Sequence, residues 1–237
     1  MADLAAAAAG RRLGELAAPN RLPELATVWW RPRVGERRLI RTGWLWTLVA
    51  IAHTIPFLVA TVALTILKPV TFPIGVVLLV HAWAIPELYA ARGAAVLKPA
   101  RRTPASSGHP AEAAAMGLLG DLLTHQAREL RVRTGLAIER GCFGIWLLGE
   151  AGAVLVRPGA GRALCYCVKA SDPALPPSDR TAHLLLALRE DEAGFATVAN
   201  LAFAGATWRL RRRLSPNARA ALAVAVREDR ATRSSSS

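Results

Sequence analysis

The sequence predicts a membrane-anchored α+β protein, in which a two-helix transmembrane hairpin precedes a small cytoplasmic domain with a three- to four-stranded antiparallel sheet and flanking helices. Three observations predict this fold class. Two long apolar segments follow each other closely, basic residues flank them, and residues 111–230 have the mixed composition of a globular domain. A buried hairpin of a soluble protein is the alternative, but core helices rarely stay apolar on every face over such lengths.

The two apolar segments cover residues 43–67 and 70–91, and Glu87 is the one formally charged side chain in them. As helices they extend about 37 and 33 Å, enough to cross a hydrocarbon layer about 30 Å thick. Only Lys68 and Pro69 separate them. We therefore expect a tight helical hairpin.

Basic residues are concentrated at the end of the hairpin that is remote from its turn, which offers Lys68 alone. The positive-inside rule then places both termini of this multi-pass protein in the cytoplasm, at the plasma (inner) membrane. The same basic residues are predicted to face anionic lipid headgroups. They are Arg31, Arg33, Arg37, Arg38, Arg41, Arg92, Lys98, Arg101 and Arg102.

The formal net charge of +13 fits nucleic acid, anionic lipid or neither as a partner. Because so much of this charge lies beside the apolar segments, we assign most of it to orientation and lipid contact. Five regions are expected along the chain: an amphipathic or interfacial segment (1–42), the hairpin (43–91), a basic linker rich in proline and serine (92–110), the cytoplasmic domain (111–230) and a disordered tail (231–237).

Periodicity and turn residues predict the elements of the domain. Apolar residues at helical spacing predict one helix over 111–134, which Gly135 would end. Three apolar runs separated by hairpin-type turns predict strands over 143–148, 153–156 and 164–168. After them the pattern predicts a helix that begins at Ser178 or Asp179, a helix over 192–203, an edge strand over 208–214 and a helix over 216–226.

His53 and His81 lie near the middle of the two apolar segments. Ionisable residues inside a membrane are candidates for function, and paired imidazoles could ligate haem or a metal ion, with further ligands from a dimer or a partner. Neutral imidazoles hydrogen bonded to a facing helix or a free carbonyl are the alternative that we favour. The prediction is thus no cofactor, with haem or metal at these two histidines as the alternative.

Three cysteines, Cys142, Cys165 and Cys167, are too few for a disulfide framework in a cytoplasmic domain. We expect reduced thiols. Cys165 and Cys167 alternate with Tyr166 on one strand, and we predict that both are small buried groups rather than metal ligands.

Residues 116–169 combine a helix, a β-hairpin with Gly-Glu-Ala-Gly at 149–152, and a third strand that ends in lysine at 169. This order resembles the nuclease-related domains of the restriction-endonuclease-like fold, and the resemblance implies phosphodiester hydrolysis at a carboxylate-held Mg²⁺. Cys167 stands where that family carries an acidic residue, and the strand around 143–145 lacks the metal-binding aspartate. The resemblance therefore implies a degenerate site that binds nucleic acid.

Arg211, Arg212 and Arg213 are a candidate contact for a ligand or for nucleic-acid phosphate. They could equally face lipid or protect an exposed strand edge. No aromatic residues alternate with them in the manner of a nucleic-acid-binding module, so nucleic acid is the less favoured partner.

No catalytic motif stands out, and the sequence favours a tethered binding or scaffolding module over an enzyme. The predicted partners are anionic headgroups of the bilayer, an unidentified protein and a further copy of the chain. The alternative is a membrane-bound enzyme, or a redox or metal protein that uses His53 and His81, or the degenerate nuclease-like domain.

Overall fold

The computed structural model describes residues 22–99, 109–157, 159, 161–168 and 175–234. Arg101, Arg102 and Lys169 lie outside these residues, as do residues 1–21 of the predicted interfacial segment, residues 100–108 of the predicted linker and residues 235–237 of the predicted tail. Within them the chain is an α+β protein with two long apolar helices and a five-stranded antiparallel sheet.

The two long helices, α1 (Glu36–Leu67) and α2 (Phe72–Ala95), form the predicted hairpin. Lys68 and a short 3₁₀ helix, Pro69–Thr71, make the turn. The Thr71 hydroxyl donates to the Leu64 carbonyl at 3.0 Å, which closes the turn against the end of α1. Both helices continue beyond the predicted apolar segments at the end that meets the domain.

The two ends of the hairpin have different surroundings. By length and composition alone both helices could cross a membrane. In the most apolar 18-residue window of each helix, no part of the α1 window and 11% of the α2 window is buried. At the end that is remote from the turn, the hairpin joins the hydrophobic core of the domain. The core residues that it contributes, with the turn after it, are Leu39, Ala90, Ala94, Val96 and Leu97.

Two helices, α3 (His109–Leu122) and α4 (His125–Thr134), occupy the stretch predicted as one helix. Thr124 separates them, because its side-chain oxygen accepts from the Ala127 N–H and caps α4. Gly135 ends α4 in the left-handed conformation with φ 76°, as predicted.

The sheet is a meander in which each strand pairs antiparallel with the next along the chain. The predicted hairpins between the three central strands are confirmed, but the sheet has five strands rather than three or four. Central strands β2 and β3 are buried at every residue, so elements cover both faces of the sheet. The strands are β1 (Ala137–Arg140), β2 (Ile145–Leu148), β3 (Gly152–Val156), β4 (Arg162–Cys167) and β5 (Asn200–Ala206).

The second half of the domain departs from prediction at two places. The helix predicted over 192–203 ends at Val198, and the remainder is strand β5. The edge strand predicted over 208–214 is helical, because Leu210 and Leu214 are four residues apart and so fit one helix face as well as one strand face. The helices here are α5 (Pro177–Glu190), α6 (Glu192–Val198), α7 (Thr207–Arg213) and α8 (Pro216–Ser234).

Helix α7 and strand β5 position the hairpin against the domain. Helix α7 packs against α2, and strand β5 packs against both α1 and α2. The ring of Phe203 in β5 lies 6.3 Å from that of Trp46 in α1, in an edge-on arrangement. The domain is therefore seated directly on the base of the hairpin.

Candidate functional site

A groove of about 630 Å³, here called the junction groove, lies where the hairpin meets the corner between β5 and α7. Residues at three- and four-residue spacing line it from each helix, so one face of α1 and one face of α2 form its long walls. The α1 wall consists of Trp46, Thr47, Ala50, Ile51, Thr54 and Leu58, and the α2 wall of Leu79, Ala82, Trp83, Pro86, Glu87 and Tyr89. The domain closes one end with Arg162, Phe203, Ala204, Gly205, Ala206, Trp208, Arg209 and Arg212.

Arg162, the first residue of β4, connects the domain to α1 at this closed end. Its guanidinium donates to the Gly43 carbonyl at 2.6 Å and to the Thr47 hydroxyl at 3.0 Å. It also lies over the ring of Trp44, 4.9 Å from the centroid. This residue was not predicted from the sequence, since nothing local marks an arginine after a turn as a contact to a helix more than a hundred residues earlier.

Arg209 and Arg212 bring two further positive charges to the closed end of the junction groove. The Arg209 guanidinium lies 5.1 Å from the ring centroid of Trp208. Arg212 is exposed, and Arg211 beside it is exposed but does not line the groove. The predicted arginine triplet is therefore divided: Arg212 lines the groove, whereas Arg211 and Arg213 do not.

The third member of the triplet, Arg213, pairs with Glu87 of α2. Its Nε and Nη2 atoms both donate to Glu87 Oε2, at 2.8 and 2.7 Å. The glutamate side chain is only 8% exposed, whereas that of Arg213 is 38% exposed. The one charge in the apolar segments is thus neutralised by the domain.

His53 and His81 are each exposed and each hydrogen bonded within its own helix. The Nδ1 atoms lie 2.7 Å from the Val49 carbonyl and 2.8 Å from the Val77 carbonyl, respectively. The His81 ring stacks on Phe57, and the His53 ring meets Tyr89 edge-on. In the described part of the chain no three histidine, cysteine, aspartate or glutamate side chains form a metal-binding group, and haem or metal binding at His53 and His81 stays an untested alternative.

The described basic residues of the predicted lipid-facing cluster divide into two sets. Arg33 pairs with the buried Asp191 at 2.5 Å, and Arg31 donates to the Thr197 carbonyl at 3.4 Å, so both hold this segment against the domain. Asp191 also caps α6 by accepting from the Gly194 N–H. The remaining described members of the predicted lipid-facing cluster are exposed: Arg37, Arg38, Arg41, Arg92 and Lys98.

A second, polar cleft of about 600 Å³ lies beside Asp191 and the loop between β1 and β2. Glu192 organises that loop, because its carboxylate accepts from the Cys142 and Phe143 N–H groups and from the indole of Trp146 at 2.6 Å. Because these hydrogen bonds occupy its oxygen atoms, we assign Glu192 a role in holding the loop in place rather than in chemistry on a substrate.

The three thiols differ in exposure. Cys165 is fully buried, but Cys142 and Cys167 are exposed, so the prediction that Cys167 is buried is wrong. Cys167 is the last residue of β4, beyond the part of the strand that is covered on both faces. Burial raises the pKa of the Cys165 thiol well above its usual range.

We expect a maleimide at pH 7.5 to modify Cys142 and Cys167 in the folded protein and all three thiols after denaturation, because attack requires an accessible thiolate. Mass spectrometry counts the added groups. The variant with Cys142→Ser and Cys167→Ser should take up none until it is unfolded. Native labelling of Cys165 at the rate of Cys142 would contradict the buried position.

The nuclease-like resemblance gains no further support from the site. β2 carries no carboxylate, Cys167 ends β4, and Lys169 lies outside the described residues. Comparison with known protein families, curated proteins and solved structures finds no match to this chain. The junction groove and its arginines are therefore interpreted from their chemistry alone.

Proposed function

We propose that this chain is a multi-pass integral membrane protein whose cytoplasmic domain is a binding or scaffolding module held at a fixed position on the bilayer surface. One observation carries the proposal: the outer part of the hairpin is apolar and exposed, while its base belongs to the core of the domain.

The exposed apolar surface is concentrated on the hairpin. An apolar patch that extends along two helices is far larger than the patches that soluble monomers expose. In lipid, exposure of such a patch carries no free-energy cost. Apart from the groups at the helix ends and the carbonyls that Pro56 and Pro86 leave without a donor, the backbone groups of the two helices can bond within their own helix, as a lipid environment requires. Large exposed side chains here include Ile51, Ile55, Val59, Val62, Ile66, Ile74, Val77 and Val80.

The contacts at the base favour a fixed rather than a loosely tethered domain. Arg162 binds the backbone of α1, Arg213 binds Glu87 of α2, and Phe203 packs against Trp46. A domain held in this way presents the same surface to the cytoplasm at all times. The buried carboxylate of Asp191 and the partly exposed carboxylate of Glu192 serve an ion pair, a helix cap and loop contacts, which favours a binding role over catalysis.

Labelling of one accessible cysteine at a time, with the buried Cys165 retained, tests the proposed topology in intact cells. Two valines of similar exposure serve as reporters: Val70 in the turn of the hairpin is 85% exposed, and Val132 in α4 of the domain is 80% exposed. In a Cys142→Ser, Cys167→Ser background, a membrane-impermeant maleimide should modify Val70→Cys from outside. It should modify Val132→Cys only after the membrane is opened.

Two controls show whether a cysteine fails to react because of its side of the membrane or because it is inaccessible in the folded protein. Both variants should react fully in detergent, and both proteins should remain in the pellet after alkaline carbonate extraction. Modification of Val132→Cys in intact cells, or release of the chain by carbonate, would overturn the proposal.

A further inference from the structure

We propose that the junction groove binds one anionic phospholipid, with an acyl chain between α1 and α2 and the headgroup at Arg162, Arg209 and Arg212. This inference rests on the proposed membrane insertion and names a specific partner for the chain within the bilayer.

The length of the groove fits one leaflet. Its α1 wall runs from Trp46 to Leu58 and its α2 wall from Tyr89 to Leu79. At 1.5 Å per residue these walls extend about 18 and 15 Å, and half of a hydrocarbon core is about 15 Å. A chain that begins at the headgroup level of the arginines would therefore end near the middle of the bilayer.

The groove has room for one acyl chain. Its volume of about 630 Å³ extends along about 18 Å of the two helices, and a flexible chain can follow this length. A helix from a second copy of the chain is the competing occupant, and the Thr54→Trp variant described below distinguishes the two.

The chemistry of the walls favours a lipid chain over a water-soluble ligand. Several large apolar side chains of the groove are exposed, which means that the groove opens sideways towards the apolar surface of the hairpin. These residues are Ile51, Leu58, Leu79, Trp83 and Trp208. In a membrane this open side would face lipid, so a phospholipid can enter from its own leaflet.

The charge at the closed end favours an anionic headgroup. Among the residues that the structure describes, Arg162, Arg209 and Arg212 line this end, and the one lining carboxylate, Glu87, is already paired with Arg213. Three positive charges thus remain at the level where a phosphate would lie. Trp208 adds an aromatic ring beside Arg209, and such rings favour the headgroup region.

Native mass spectrometry of the full chain in mild detergent tests the site. With phosphatidylglycerol as the probe we expect one retained lipid per chain and about tenfold weaker retention of phosphatidylcholine, because basic residues at the membrane surface each favour anionic lipid. Arg209→Gln combined with Arg212→Gln should weaken retention of phosphatidylglycerol about tenfold or more. Arg211→Gln, in the same helix but outside the groove, should leave retention unchanged.

A second pair of variants tests the apolar part. Thr54→Trp places a large ring in the groove and should abolish retention of a lipid, whereas Val59→Trp, on an exposed face of the same helix, should not. Equal retention of both lipids with no effect of any variant would overturn the site. A dimer that Thr54→Trp dissociates would also overturn it, by assigning the groove to a second copy.

Carbonate extraction of the same cells separates this inference from the proposed function. A chain that stays in the membrane but retains no lipid refutes the lipid site alone. A chain that carbonate releases refutes both.

Discussion

Replacing Gly93 with alanine is expected to destabilise the junction between hairpin and domain by about 2–3 kcal/mol, because it overfills a packed contact. A Cβ atom at this position of α2 would lie 2.6 Å from the Cβ atom of Phe203. The Phe203 Cβ is attached directly to strand β5, so the ring cannot rotate to make room. Either the helix or the strand must move.

The matched control is Gly117→Ala. Gly117 is also a helical glycine, in α3, but nothing lies within 4 Å of a Cβ placed there. Alanine should therefore raise stability slightly, by about 0.5–1 kcal/mol, through its better helix propensity. Thermal unfolding of the full chains in one detergent measures both effects, and equal midpoints for Gly93→Ala and the unchanged protein would contradict the packing described.

Replacing Arg213 with alanine is the second change with a large expected effect. It leaves the Glu87 carboxylate, which is only 8% exposed, without its partner. Removing one member of a buried ion pair usually costs about 3–5 kcal/mol. Since Arg213 is itself partly exposed, we expect the free energy of unfolding to fall by about 2–3 kcal/mol.

A second substitution at Glu87 distinguishes the cost of an unpaired charge from the cost of lost packing. Glu87→Gln should restore much of the stability that Arg213→Ala removes, because the remaining side chain is then neutral. Arg211→Ala, in the same helix but exposed, should change stability by less than about 0.5 kcal/mol. If Arg213→Ala were as mild as Arg211→Ala, the ion pair would have no part in holding α7 to α2.

The hairpin was predictable because length and composition alone determine it. Two helices that remain apolar on every face have few alternative structures, and Lys68 with Pro69 marks the turn. The β2–β3–β4 meander was predictable for a related reason, since glycine-rich turns separate its apolar runs. In both cases the signal lies within a few neighbouring residues.

The elements at the junction lacked such local signals. Strand β5 contains alanine, leucine, phenylalanine and glycine without a β-branched residue, and pairing with β4 decides its structure. Helix α7 is so short that alternation and helical spacing coincide. The arginine triplet was recognised, but the pairing of Arg213 with Glu87 and the reach of Arg162 to Gly43 depend on contacts 126 and 119 residues apart.

The separation of Glu87 from Arg213 has a consequence during synthesis. A ribosome adds about 5–20 residues per second, so roughly 6–25 seconds pass between the two residues. Throughout that interval the nascent hairpin carries a carboxylate whose counter-ion does not yet exist. If the hairpin inserts into a bilayer as proposed, early placement of this glutamate near the headgroups, with the domain arriving later to cover it, would let a charged residue enter before its partner is made.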